Sequence, residues 1–158
     1  MKFLYWNLYN RDLSDLIAEI SIEKDIDVII LSECRFDIAK FLITINEALD
    51  RKYRYHKGFI DDPIIFTRFL TNSVEPLFDE KGISIKKIFH PLGIDFLLVT
   101  LHLQSKLFKE NIDQIYKTSR VREIIEENEE LIGHRRTIVV GDLNMNPFED
   151  GVISADGF

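Results

Sequence analysis

A chain of 158 residues is long enough for one domain with a sizeable core, and a hydrophobic share of 46% with 12 Phe and 5 Tyr excludes a disordered polymer. The formal charge of -7, from 27 acids and 20 bases, with few clustered cations, disfavours extended duplex binding and leaves a nucleic-acid substrate in a local basic groove open. A single cysteine, Cys34, excludes an internal disulfide. The apolar runs are strand-sized and the opening MKFLYWNLYN turns polar too soon for a leader, so no membrane insertion and a cytoplasmic location are expected.

Residues 2–8 (KFLYWNL) read as a strand. A helix follows from about Asp12 to Lys24, with Leu13, Leu16, Ile17 and Ile20 on one face and Asp12 as its candidate cap. DVIIL (27–31) reads as a strand, and Ile38, Phe41, Leu42, Ile45 and Leu49 form the stripe of a helix over about Asp37–Leu49. Short strands are expected at 53–56 and 64–67, while Pro63 and Pro76 read as loop punctuation. The stretch RKYRYHK (51–57) alternates aromatics with cations and reads as an exposed strand and loop. GISIKKIF (82–89) and IDFLLVTLHL (94–103) are set to pair antiparallel around HPLG (90–93).

A long helix is expected over about Lys109–Leu131, with Ile112, Ile115, Tyr116, Ser119, Ile124 and Ile125 inward and Glu126, Glu127, Glu129 and Glu130 solvated. TIVV (137–140) reads as the last strand and GDLNMNPFED as a loop. Nearly continuous apolar strands favour a sheet covered on both faces, and their alternation with helices argues for an α/β layered domain spanning residues 1–158.

The chemistry lies where polar residues interrupt or end these strands. Asn7 sits inside the first, Glu33 ends DVIILSE, His102 ends FLLVTLH, and Asp142 and Asn144 follow TIVVG. Burying such groups unpaired is costly, so they must meet partners, water or a metal. Magnesium takes carboxylate, amide oxygen and water, which suits Glu33 for direct coordination and Asn7 for an amide oxygen or a metal-bound water. Asp142 can orient an attacking water, and Asn144 and His102 can donate to phosphoryl oxygens as charge grows there. Each residue alone also has an ordinary structural reading. Walker, HExxH, CxxC and GxSxG motifs are absent, and Cys34 beside Glu33 reads as packing.

WN (6–7), SE (32–33), TLHL (100–103) and GDLN (141–144), in this order, resemble the motifs of the endonuclease/exonuclease/phosphatase, or DNase I-like, superfamily. The resemblance implies a layered β-sandwich with flanking helices and hydrolysis of a phosphodiester or phosphomonoester by activated water. It implies magnesium (or manganese) on Glu33, helped by Asn7. It gives His102 the scissile phosphate, Asp142 the nucleophile, and Asn144 the transition state. The implied partner is a phosphate-ester substrate, nucleic acid among the candidates.

The family's last motif carries an Asp-His pair, and this sequence has no such dipeptide. The expectation is therefore a sandwich truncated before its last strands: a fragment of a longer enzyme, a shortened protein completed by a partner or by self-association, or an inactive copy acting as a non-catalytic interaction module.

Overall fold

The structure, a computed structural model, describes residues 1–47, 49–57, 63–90, 93–103 and 111–153, without the side chains of 111–114 and 151. The elements in chain order are β1 (Phe3–Asn7), α1 (Ser14–Glu23), β2 (Val28–Ser32), α2 (Ile38–Asn46), β3 (Arg54–His56), β4 (Ile64–Thr67), β5 (Val74–Glu80), β6 (Ile83–Phe89), β7 (Asp95–His102), α3 (Asn111–Ile132), β8 (Thr137–Asp142) and α4 (Asp150–Ile153), with a 3-10 turn at Thr71–Ser73.

The strands form two mixed four-stranded sheets, ordered β1-β2-β4-β3 and β5-β6-β7-β8. In the first, β1 runs parallel to β2 with Asn7 opposite Ser32, and β4 runs antiparallel to both β2 and β3. In the second, β6 pairs antiparallel with β7 from Ile83↔Leu101 to Phe89↔Asp95, as the two sequence patterns require. β7 and β8 are parallel, with His102 opposite Asp142.

Period-two alternation sorts the side chains into layers. Ile29, Leu31 and Phe66 point outward from the first sheet and bury against Ile17, Phe41 and Ile45 of α1 and α2. Ile85, Leu97 and Val99 do the same on the second sheet against Val121 and Ile124 of α3. The inner rows, Val28, Ile30 and Ile65 facing Ile88, Phe96 and Leu98, meet in a third cluster between the sheets. The result is a helix–sheet–sheet–helix sandwich. Each fully buried Ile, Leu or Phe contributes about 1.5–3 kcal/mol relative to exposure. Among the described residues, no helix is long and apolar enough to cross a membrane.

Several expectations need correction. Pro76 lies inside a strand, β5, which the sequence pattern does not reveal. β5 is an edge strand, and its register shifts between Pro76 and Phe78, so the missing N–H leaves no inner ladder broken. Leu16 is exposed on α1, whose buried positions are Ile17, Ala18 and Ser21. Leu13, not Asp12, occupies the cap position of α1, although the Asp12 carboxylate accepts the Ser14 N–H at 3.1 Å.

On α3 Tyr116 is exposed, and the inward face is Thr118, Val121, Ile124, Ile125 and Asn128. Ile112 lies outside the described side chains, and Pro91–Leu92 of the HPLG turn lie outside the described residues. Glu129 is half-buried rather than solvated, because its carboxylate accepts the Thr137 hydroxyl at 2.5 Å.

The RKYRYHK stretch is not an exposed strand. Tyr53 and His56 are buried, because alternation sends Tyr53 and Tyr55 under α2 and His56 inward, against Thr67 at 2.8 Å. The last strand runs two residues past TIVV, which carries Gly141 and Asp142 into the ladder.

Candidate active site

The two parallel pairs decide where the polar strand ends go. In β1‖β2 and in β7‖β8, both carboxyl ends emerge on one side. The inner rows change character along their length: Phe3, Tyr5, Asn7 on β1; Val28, Ile30, Ser32 on β2; Phe96, Leu98, Thr100, His102 on β7; Ile138, Val140, Asp142 on β8. Each begins apolar inside the sandwich and turns polar at the same mouth. Because β1 and β8 are the edges of their sheets at this side, the two rows meet there.

The Asn7 amide is the joint. Its Nδ2 donates to Glu33 Oε1 at 3.2 Å and to Asp142 Oδ2 at 3.4 Å, which links residues 135 apart in sequence. Its Oδ1 accepts the Tyr9 N–H at 3.0 Å, so the amide is fixed from both sides. His102 Nε2 lies 3.5 Å from Glu33 Oε1. Tyr5 Oη donates to Ser32 Oγ at 3.3 Å beneath this layer. Asn144 stands beside the network rather than within it: its N–H donates to Asp142 Oδ1 at 2.8 Å and its Nδ2 to the Leu103 carbonyl at 2.7 Å. All five polar residues singled out in the sequence therefore lie at one mouth. Four make direct side-chain contacts there, and the fifth holds Asp142 through its backbone.

The backbone at the mouth is unusual. Tyr9, Asn10, Glu33 and Asn144 have φ of 50°, 59°, 51° and 51°, a region that side chains other than Gly, Asn and Asp seldom occupy. Such conformations persist where surrounding contacts over-determine them, and they cluster at functional sites. At Glu33 the fixing contact is Asn10, a residue the sequence pattern did not single out. Its N–H donates to the Glu33 carbonyl at 3.0 Å and its Nδ2 to Glu33 Oε2 at 3.3 Å. Each Glu33 oxygen thus faces an asparagine amide. The one hint in the sequence was an Asn three residues after Asn7, a type that tolerates left-handed backbone.

Two glycines let the β7 end approach its neighbours. A Cβ at Gly82 would collide with the His102 carbonyl oxygen, and one at Gly141 with the Leu101 backbone.

Two carboxylates bridged by an amide are a donor set that suits magnesium, which needs one or two carboxylates and fills its octahedron with water. Among the described residues no group of three or more His, Cys, Asp or Glu side chains is placed to hold a metal, so a dense protein cage of the structural-zinc type does not fit.

No family model matches the chain, and no curated protein sequence matches it. Solved structures do. An endonuclease/exonuclease/phosphatase family protein from Bacteroides thetaiotaomicron superposes with a TM-score of 0.60 at 19% identity, covering 93% of this chain and 63% of that one. A β-hairpin deletion mutant of Staphylococcus aureus beta toxin gives 0.63 at 14%, covering 93% and 68%. The B. thetaiotaomicron mannosyl-6-phosphatase gives 0.54 at 21%, covering 91% and 65%. At these identities the likeness establishes a shared fold, the layered sandwich of endonuclease/exonuclease/phosphatase proteins. The chain spans less than two thirds of the length of the first and third of these structures.

Proposed function

We propose that this chain, taken as one domain over residues 1–158, is a magnesium-dependent phosphoesterase that hydrolyses a phosphodiester or phosphomonoester with an activated water. The reading is carried by one observation: Asn7 bridges Glu33 and Asp142 across the two sheets, with His102 against Glu33, at the carboxyl ends of four strands. The shared fold supports it.

Glu33 would hold the cation, with Asn7 fixing the carboxylate and, through its amide, the distance to Asp142. Bound magnesium supplies Lewis acidity and charge neutralisation at a phosphoryl oxygen, and manganese would substitute. Asp142 accepts from Asn7 on one oxygen and from the Asn144 N–H on the other, so its carboxylate has a set orientation in which to align an attacking water. His102 would donate from Nε2 to the scissile phosphate. Asn144 spends one amide hydrogen on Leu103 and keeps the second for a phosphoryl oxygen in the transition state.

The test is hydrolysis of bis(p-nitrophenyl) phosphate and p-nitrophenyl phosphate by the chain in magnesium. Turnover should vanish with EDTA and fall steeply in Asp142→Ala and Asn144→Ala. Metal-dependent turnover that survives both substitutions would defeat the assignment. The lack of an Asp-His dipeptide favours a second reading, a non-catalytic interaction module on the same fold. Tight manganese binding together with turnover by residues 1–158 removes that reading.

A further inference from the structure

The cations are treated differently at the two ends of the sandwich. At the end where β1, β2, β7 and β8 begin, most are engaged by neighbours, the exposed Arg135 excepted. Arg68 pairs with Asp25, Arg51 with Asp27 at 3.3 Å, and Lys87 and Arg136 with Asp95 at 3.0 and 2.7 Å. At the mouth, Arg11, Arg35, Lys57 and Lys81 are exposed and make no side-chain hydrogen bond or ion pair among the described residues.

Their positions follow from the topology. Arg11 lies in the loop after β1, with its N–H on the Leu8 carbonyl at 2.9 Å, and Arg35 comes two residues after Glu33. Lys57 follows β3, which runs parallel to β2 because both oppose β4. Lys81 is in the β5–β6 turn, where the Gly82 carbonyl accepts the His102 N–H at 2.8 Å. Two acids nearby face their own backbone: Asp12 accepts the Ser14 N–H, and Asp37 accepts those of Ala39 and Lys40. Glu80, beside Lys81, is an exposed acid that shares the rim. Tyr9 projects at the same place, 75% exposed and held in left-handed backbone.

We propose that this rim binds a single-stranded oligonucleotide. The scissile phosphodiester sits at Glu33, His102 and Asp142, the flanking phosphates lie on Arg11, Arg35, Lys57 and Lys81, and a base stacks on Tyr9. The inference rests on the phosphoesterase reading for the scissile position only. Exposed cations that make no ion pair among the described residues can meet phosphates without first breaking one, even with Asp12, Asp37 and Glu80 close by in sequence. From β1 to β3 the first sheet spans three inter-strand spacings, about 14 Å, a span suited to an extended chain rather than to a compact phosphorylated ring. Four cations on a chain of net charge -7 are too few for duplex capture but suit a short single strand, whose bases supply stacking as well.

The experiment is fluorescence anisotropy of the full chain with a short, 3′-labelled phosphorothioate oligothymidylate in magnesium, over a salt series. Wild type should bind and weaken with salt, with a log–log slope of about -0.7 for each phosphate neutralised. Arg11→Glu/Arg35→Glu should weaken binding at least about tenfold and flatten the slope, whereas Tyr9→Gly should weaken it about fivefold and leave the slope alone. Arg135→Glu, an exposed cation away from the mouth, should change nothing. Thermal melts of each variant separate lost binding from lost fold.

Wild-type affinity in the folded Arg11→Glu/Arg35→Glu protein overturns the proposal. So does an equal loss in Arg135→Glu, or displacement of the strand by inositol hexakisphosphate at a lower phosphate concentration than by unlabelled oligothymidylate. Hydrolysis of bis(p-nitrophenyl) phosphate without oligonucleotide binding overturns the rim and spares the phosphoesterase reading. Rim-dependent binding without hydrolysis does the reverse.

Discussion

The two ends of the sandwich are built from the same strands and solve opposite problems. At the closed end, charge is neutralised locally. Asp95 is held well below the usual carboxylate range by Lys87 and Arg136, and Asp25 below it by Arg68, which also lies over the Tyr53 ring at 4.8 Å. At the mouth, carboxylates are placed beside amides rather than cations, the backbone adopts left-handed conformations at four non-glycine residues, and the cations have no acid partners among the described residues. One end is arranged for stability. The other holds its acceptors and donors in place through Asn7 and Asn10. The difference shows that position along a strand, more than residue type, decides whether a charged group is neutralised by a neighbouring charge or held by amides.

That contrast can be broken or sharpened by measurement. The largest effect is expected at the mouth. Glu33→Ala or Asp142→Ala should cut metal-dependent hydrolysis by about a hundredfold or more while moving the melting temperature little, because both side chains sit at a solvent-facing strand end. Turnover assays paired with thermal melts check it, and a large stability loss with unchanged kcat would reverse the roles of the two ends.

Next comes the interior between them. His56 is buried beside Thr67, and desolvation, then Lys86 and Arg54, push its pKa down from 6.5 to about 4. Lys86, whose side chain is 2% exposed, is itself lowered by burial and opposed by Asp79 at 3.8 Å. A histidine with a depressed folded pKa is neutral in the fold, while the unfolded chain takes up a proton at higher pH. The stability tied to His56 is therefore complete above about pH 6.5 and is lost as pH falls toward 4, by up to about 3 kcal/mol. Urea unfolding at neutral pH and at intervals down to pH 4 would show the slope, and His56→Gln should flatten it.

At the closed end, Arg68→Ala should cost about 2 kcal/mol through lost packing and a lost ion pair, with manganese affinity at the mouth unchanged. Denaturant melts and a manganese titration read the two separately. The smallest effect is expected for Asn10→Gly, which keeps the left-handed backbone but removes the amide on Glu33 Oε2. Manganese affinity should drop about tenfold, with the fold intact. Equal affinity in the variant would mean that Asn7 alone orients Glu33.

The strands DVIIL, IDFLLVTLHL and TIVV were legible because uninterrupted apolar runs have few other uses, and the β6–β7 pairing followed from their spacing. The stripe of α2 was equally plain, since Phe41 and Ile45 both enter the core and Asp37 caps the helix through Ala39 and Lys40. The five polar strand-end residues stood out because each broke an apolar pattern. β5 was not legible: VEPLFDE has no clean alternation, and only the edge position makes its proline tolerable. Leu16 and Tyr116 misled because periodicity gives the apolar face of an isolated helix, whereas the sheet beneath settles which residues are covered.

By itself, then, the sequence determined most of the elements, β5 excepted, and the identities of the polar groups, because hydrophobic periodicity and steric preference act over a few residues. The tertiary structure alone decided that Asn7 and Asp142 touch, that Asn10 supports Glu33, that His56 is buried and that Arg68, Lys87 and Arg136 find acid partners. Those are consequences of strand order and direction. Parallel β1–β2 and β7–β8 pairs bring distant carboxyl ends to one mouth, and no local pattern records which edges of two sheets will face each other.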